Sequence, residues 1–292
     1  MRKPNFFILG APKCGTTSLA AWLSRHPNIF VSEEKEPHFF NTDDRQHISS
    51  LAEYESLFLR ASDRHKAVGE ASVWYLSSAK AVENILRYQP RAKFIVMVRN
   101  PMEMAPALHS EMVLSGHEDI RDFRKAWDIQ AERKEGRALP AFSWARRRFL
   151  YGEVCKLGSQ LERLLSMVPA PRVHVVVLDE LAAEPRQEYL RVLRFLGVED
   201  DGRLQFPVYN SAKNIRWPRF TRIVFILGQI RRKAGMKTGL SLWKRFARLN
   251  QYEMPRTPLP RDMENLLRSY FLEDIRLLEH LCGKNFEHWL RS

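Results

Sequence analysis

Between residues 202 and 252 the chain has no Asp and no Glu, yet it has 12 Lys or Arg. Most of the formal net charge of +13 therefore comes from one stretch. A block of one sign wants an anionic partner: a nucleotide phosphate, an acidic glycan, a membrane surface or a nucleic acid. Its bland alternative is a solvated basic face. Cysteine is also sparse. Cys14, Cys155 and Cys282 are too widely spaced for a zinc site or a disulfide framework, which leaves a reducing compartment or inert thiols. Long hydrophobic runs are missing too. The apolar run 223–228 is far too short to span a bilayer. The first apolar run begins at Asn5 and reaches a glycine within six residues, which suits a first strand and not the apolar core of a secretory signal. Together these lacks suit a cytoplasmic protein, one that could work at the inner membrane surface, although a lumenal domain cut from its anchor would look similar.

What is present reads as strands alternating with helices. NFFILG (residues 5–10) is a short buried strand, and the loop after it opens a helix over 17–25 with Leu19, Trp22 and Leu23 on one face. HPNIFV (26–31) and HKAVGEAS (65–72) are extended runs. AKFIVMVRNP (92–101) is the clearest strand, apolar from Phe94 to Val98 and stopped by Pro101. RVHVVVLDEL (172–181) is a further strand. Helices are expected over 77–87, 118–135, 157–168, 186–196 and 261–281. Short strands that are apolar throughout and alternate with helices predict an α/β fold. The sheet is parallel, with helices on both faces in three layers, P-loop-NTPase-like, and helical additions fill the C-terminal third. No internal repeat or low-complexity linker breaks the chain, so one domain is expected over 1–292, with the basic segment inside it.

The segment GAPKCGTTSL (10–19) sits between the first strand and the first helix. Such a glycine-rich turn presents backbone N–H groups and the positive end of a helix dipole to an anion. Gly10 and Gly15 have the spacing of a nucleotide-triphosphatase loop, but Thr16 stands where that loop has its lysine, and the lysine is inside as Lys13. Thr16, Thr17 and Ser18 add hydroxyls, and Lys13 can reach over the same anion. The pattern fits a phosphate but not a magnesium-bound triphosphate. Arg99 and Asn100 end the clearest strand, where ligands of open parallel sheets bind, and an arginine there can take a second phosphate. Glu36, in KEPHFF, has Lys35, His38, Phe39 and Phe40 beside it. A carboxylate between a cation and apolar walls can serve as a general base, with His38 as its rival, although a loop glutamate is more often a solvated charge. Phe39, Phe40, Trp74 and Tyr75 can line an acceptor site or belong to the core.

In chain order, GAPKCGTTSL, KEPHFF, GEASVWYL and VRNPMEMAPALHS resemble the sulfotransferases that use 3′-phosphoadenosine 5′-phosphosulfate, in particular their bacterial and carbohydrate-type branch. The resemblance implies that the loop from Lys13 through Cys14, Gly15, Thr16 and Thr17 to Ser18 binds the 5′-phosphosulfate. It implies that Lys13 stabilises the leaving oxygen, Arg99 holds the 3′-phosphate, and Glu36 is the base for an acceptor hydroxyl on a saccharide or glycolipid. It also implies that no metal is required, that the product is adenosine 3′,5′-bisphosphate, and that nucleic acid is not the partner. Two positions depart from the family. The serine expected eight residues after the arginine is Ala107, and the lysine expected after Glu70 is Ala71. The first departure makes Lys213, Arg216 and Arg219 of the basic segment candidates for the nucleotide. The second places a glycosaminoglycan acceptor in question.

Two other readings remain open at this level. Asp179 and Glu180 close RVHVVVLDE as a magnesium-holding pair would, which suits an ATPase or kinase. The stretch 222–249 alternates basic and apolar residues at near-helical spacing, which suits a protein that lies on an anionic membrane.

Overall fold

The computed structural model describes residues 2–44, 47–141, 143, 145–209, 213–215, 223–227, 251–253 and 258–291. Two compact units emerge. The first is Met1–Pro101, Lys156–Tyr209 and Leu272–Ser292; the second is Met102–Cys155 and Asn210–Phe271.

The first unit is built on a sheet of β1 (Phe6–Gly10), β2 (Ile29–Val31), β3 (Ala67–Ala71), β4 (Lys93–Val98) and β5 (Val173–Val177). Their order is β2-β3-β1-β4-β5, and every pairing is parallel. All five residues of β1 are buried, as are the last five of β4. That is why these strands read as continuous apolar runs: a parallel sheet covered on both faces has no wet side to alternate with. The chain leaves β1 for β2 and β3 on one side, then crosses to β4 and β5 on the other. The switch point is therefore at the carboxyl end of β1, where such sheets hold their ligands. Residues 10–15, Glu70, Arg99 and Asp179 all lie at or just beyond carboxyl ends of the strands.

Helix α1 (Thr16–Leu23) follows β1, α2 is Leu51–Ser56 and α3 is Ala81–Tyr88. The segment after β5 differs from its expected form. The strand stops at Val177, and Leu178–Ala183 is a short helix, so Asp179 and Glu180 stand in a first helical turn. Carboxylates there are favoured by the helix dipole. Asp179 accepts from Trp289 Nε1 at 2.6 Å, and both Glu180 oxygens accept from Lys284 Nζ, at 2.7 and 2.6 Å.

The second unit opens with α4, a helix over Pro101–Leu114 that the sequence pattern does not announce. It has Pro106 inside it, and its less buried side, at 103, 106, 110, 111, 113 and 114, mixes Glu and Ser with Pro, Val and Leu. A helix whose wetter side is half apolar carries little 3.6-residue signal. Two short helices, Phe123–Asp128 and Gln130–Lys134, replace the single one expected over 118–135. The centre of this unit is an ion pair with no solvent exposure. Arg133 donates to Glu118 at 2.7 and 2.9 Å, Tyr151 OH donates at 2.6 Å, and the Asp119 and Ile120 N–H groups each donate at 3.0 Å. Arg133 Nε also reaches the Ala138 carbonyl at 3.2 Å. Every strong donor and acceptor is used, which is what makes a buried pair tolerable. Two three-residue strands, Lys213–Ile215 and Gln251–Glu253, pair antiparallel. Of the basic stretch 222–249, only 223–227 is described, as helix.

Arg133→Met leaves Glu118 buried without its counter-charge, and we expect it to cost about 3–5 kcal/mol. Arg133→Lys does not restore stability, because one ammonium cannot replace a two-pronged donor. Urea unfolding of the three proteins measures both effects.

Candidate active site

The turn after β1 is shaped by backbone needs. Gly10 has φ 126°, and a Cβ there would stand 2.3 Å from the Val73 carbonyl oxygen. Gly15 has φ 84° and is the N-cap of α1, with no side chain to occupy the helix N-terminus. Lys13 lies between them at φ 64°, a left-handed conformation that is costly for a non-glycine residue and gathers at functional sites. Its carbonyl accepts from Arg99 Nη1 at 3.4 Å, so the residue ending β4 is tied to the loop ending β1. These features fit a phosphate-sized anion: an open helix N-terminus, a lysine in the turn, an arginine behind it.

The individual positions differ in what they can offer. Thr16 is buried in the first turn of α1. Cys14 is fully buried, and burial pushes its thiol up to about 12. It can serve an anion only through its main chain. Ser18 is turned to another task. Its hydroxyl accepts from Tyr209 N–H at 3.0 Å, and Trp22 Nε1 donates to the Pro207 carbonyl at 3.0 Å. Ser18 and Trp22 thus fasten residues 207–209 along α1. Lys213 opens a short strand, and its side chain lies outside the described residues, as do Arg216 and Arg219.

Glu36 meets this loop through a neighbour. Lys35 Nζ donates to Thr17 Oγ1 at 2.6 Å and to Glu36 Oε1 at 3.1 Å. The second carboxylate oxygen faces His38 Nε2 at 3.3 Å. Burial alone would raise the Glu36 carboxyl, but the His38 hydrogen bond and the Lys35 charge outweigh it and hold the group at about 2. His38 Nδ1 is buried and has no hydrogen-bond partner among the described residues. One imidazole nitrogen is therefore on Glu36 and the other is walled in, which favours Glu36 over His38 as the base. Glu36 and His38 also have left-handed backbones, φ 62° and 48°.

What holds this strained loop is Glu70, at the end of β3 and completely buried. Tyr54 and Tyr75 hydroxyls donate to Oε1, each at 3.0 Å, and Ser72 donates to Oε2 at 2.7 Å. With their protons directed at Glu70, two of these hydroxyls accept from the loop. Tyr75 takes the N–H groups of Phe39 and Phe40, at 3.0 and 3.3 Å, and Ser72 takes that of His38 at 3.2 Å. Glu36 N–H adds a bond to the Ala71 carbonyl at 3.1 Å. The sequence pattern singles out Glu36 and offers Tyr75 only as an acceptor-site or core residue; it gives no role to Glu70 or Ser72 within GEASVWYL, and Tyr54 has no local signal at all. Phe40, Trp74 and Tyr75 are core residues, and Phe39 is half-buried and stacked on Tyr54 at 4.6 Å.

The Asp179–Glu180 pair is committed elsewhere. Asp179 bonds Trp289 and stands 3.3 Å from His288, while Glu180 bonds Lys284 and stands 3.6 Å from Arg191. Among the described residues no group of three His, Cys, Asp or Glu is placed to hold a metal ion. No helix among them is long and apolar enough to cross a membrane.

A model of the sulfotransferase family matches residues 4–202. Human heparan sulfate glucosamine 3-O-sulfotransferase 6 is 30% identical over 199 residues, which cover 68% of this chain and 53% of that protein. The membrane-associated sulfotransferase kil1 of Dictyostelium discoideum is 30% identical over 100 residues, 34% of this chain and 21% of that one. The chain thus matches about half or less of the length of these curated relatives. The crystal structure of a sulfotransferase from Alicyclobacillus acidocaldarius superposes with a TM-score of 0.72 at 25% identity, over 99% of both chains.

Burial raises Glu70 from its ordinary 4.5 to about 7, against the pull of its three hydroxyl partners. A raised carboxyl favours the fold fully below pH 4.5 and loses that contribution as pH climbs through about 7. We expect the loss to reach about 3 kcal/mol. Glu70→Gln cannot titrate, so its stability relative to the wild type improves between about pH 5 and about pH 8. Paired denaturant titrations at the two pH values test this.

Proposed function

The chain belongs to the sulfotransferase family, and we propose that it moves a sulfuryl group from 3′-phosphoadenosine 5′-phosphosulfate to an acceptor hydroxyl. The observation that carries this reading is the double contact of Lys35. One ammonium touches both Thr17 of the anion loop and Glu36, the candidate base, at 2.6 and 3.1 Å. In this reading the donor site and the base are neighbours linked by one cation, close enough for a direct transfer between two bound oxygens.

In this reading the residues from Lys13 to Ser18 hold the 5′-phosphosulfate, mainly through main-chain N–H groups and the Thr16 and Thr17 hydroxyls. Ser18 is the most committed member, since its hydroxyl accepts from Tyr209 N–H and its own N–H donates to the Gly15 carbonyl at 3.0 Å. Arg99 takes the 3′-phosphate. Ala107 is buried and its methyl group offers no hydrogen bond, so this second phosphate needs other support. Lys213 and Arg216 are proposed for that role on the family resemblance. When bound, the donor supplies a neutral SO3-like group that leaves negative charge on its phosphate. Lys13 neutralises that charge as it develops. Glu36 accepts the acceptor's proton, and His38 holds its other oxygen. No step asks for a metal.

For the acceptor we propose a saccharide hydroxyl. The support is the heparan sulfate relatives; the departure at Ala71 weighs against an identical polymer. We also propose a cytoplasmic location, with the acid-free stretch 202–252 free to meet an anionic acceptor or membrane surface.

Adenosine 3′,5′-bisphosphate, with EDTA present, is expected to raise the melting temperature, by about 2.7 kcal/mol of stabilisation at 100 times Kd. ATP with magnesium should give no comparable gain; the reverse result supports a kinase or ATPase. With labelled donor and a saccharide panel, Glu36→Gln should lower kcat by about 10²–10⁴ and Lys13→Ala by about 10²–10³. A Glu36→Gln protein of full activity rules out this base, and an unchanged Lys13→Ala protein rules out the role given to the loop.

A further inference from the structure

Both oxygens of Glu36 are occupied: one by the Lys35 ammonium, one by the His38 ring. Lys35 and His38 come from its own loop, β3 contributes the Ala71 carbonyl, which accepts from the Glu36 N–H, and α1 contributes Thr17, which touches Lys35. A carboxylate held at about 2 is a poor base for an alcohol, because Brønsted behaviour rewards a base whose affinity for protons lies near the working pH. Something must release it before it can take a proton. The His38 ring is buried, and its loop is bolted to Glu70, so it is badly placed to move. Lys35 differs. Its side chain is 38% exposed, its stem is flexible, and its ammonium already touches the anion loop at Thr17. A doubly charged anion in that loop competes directly with Glu36 for the same cation.

We propose that Lys35 is an electrostatic switch: in the free protein its ammonium restrains Glu36, and in the donor complex it transfers to the sulfuryl oxygens, which both clamps the donor and frees the base. This rests on the sulfotransferase reading and adds a residue to it. The bond changes are those of the transfer itself. The S–O bond to the donor phosphate breaks, the S–O bond to the acceptor forms, and the acceptor's proton goes to Glu36, while Lys35 keeps its three protons throughout. The arrangement also couples the two substrates. Glu36 is a strong base only when the donor is in place, so an acceptor that binds alone meets an inactive site.

The switch has a signature that a purely structural lysine lacks. The acid limb of kcat/KM for the acceptor, taken at limiting donor, reports Glu36 in the free protein, and that of kcat reports it in the ternary complex. In the wild type the kcat limb is expected at least about one unit above the kcat/KM limb, equivalent to a tenfold change in proton affinity. In Lys35→Gln the two limbs should coincide, kcat should fall at least about tenfold, and KM for the donor should rise. Lys35→Arg keeps the charge and should retain the separation of the limbs. Coincident limbs in the wild type, or a Lys35→Gln protein with unchanged kcat and unchanged limbs, overturn the proposal. Glu36→Gln is measured alongside. A wild type that transfers sulfate, with Glu36→Gln inactive and Lys35→Gln unaffected, removes the switch and leaves the sulfotransferase reading standing. Full activity in Glu36→Gln removes the base, and the switch with it.

Discussion

The candidate site depends on one buried carboxylate. Glu70 has no contact with solvent, and three hydroxyl groups point their protons at it. That choice fixes the direction of every neighbouring bond. A hydroxyl has one proton to give, so Tyr75 and Ser72, having spent theirs on Glu70, can only accept from the loop. The loop N–H groups at 38, 39 and 40 supply what they need. The geometry around Glu36 is therefore set from the sheet outward, and its left-handed backbone is kept in place by bonds on residues that follow it. A fully satisfied polar network of this kind gives one arrangement and penalises the rest.

The two sides of the chemistry obtain their positions differently. The candidate anion loop is fixed by exclusion: Gly10 has no room for a Cβ against Val73, and at Gly15 a Cβ would stand 2.9 Å from the Leu178 side chain. The candidate base is held by attachment to β3. Because β3 and β1 are neighbouring parallel strands, their carboxyl ends lie side by side, and Lys35 fills the short distance between the two loops. A lysine in that place is electrostatically double-edged. It stabilises Glu36 as a carboxylate and so weakens it as a base. An anion in the neighbouring loop would draw on the same ammonium, so the charge at Glu36 is open to redistribution.

The second unit shows the same economy of polar groups in its core, where Glu118, Arg133 and Tyr151 leave no strong donor or acceptor idle. It also shows why its helices resist reading. In α4 the less buried side carries Pro, Val and Leu beside its Glu and Ser residues, and Pro106 argues locally against any helix. Local propensity and tertiary burial disagree there, and burial prevails. At the end of β5 the disagreement is over polarity. VVVLDE reads as one strand with an acidic end, but the bonds from Trp289 and Lys284, far along the chain, hold Asp179 and Glu180 in a helical turn.

The amino-acid sequence by itself determined the sheet and the glycine turn that follows its first strand, and it singled out the candidate base. Strands buried on both faces must be apolar throughout, a turn that cradles an anion needs its glycines at set positions, and both requirements are local and written in consecutive residues. Lys13, Arg99 and Glu36 could be named for the same reason. Only the tertiary structure decided which groups those residues meet. Tyr54, Glu70, Ser72 and Tyr75 converge from a helix, a strand end and the turn that follows it. Lys35 shares its ammonium with a threonine 18 positions earlier in the chain. Ser18, which reads as a donor to the anion, is taken by a backbone amide 191 positions away. Hydrogen-bond partners at such separations leave no periodic trace, because their meeting is set by the packing of the sheet and not by the spacing along the chain.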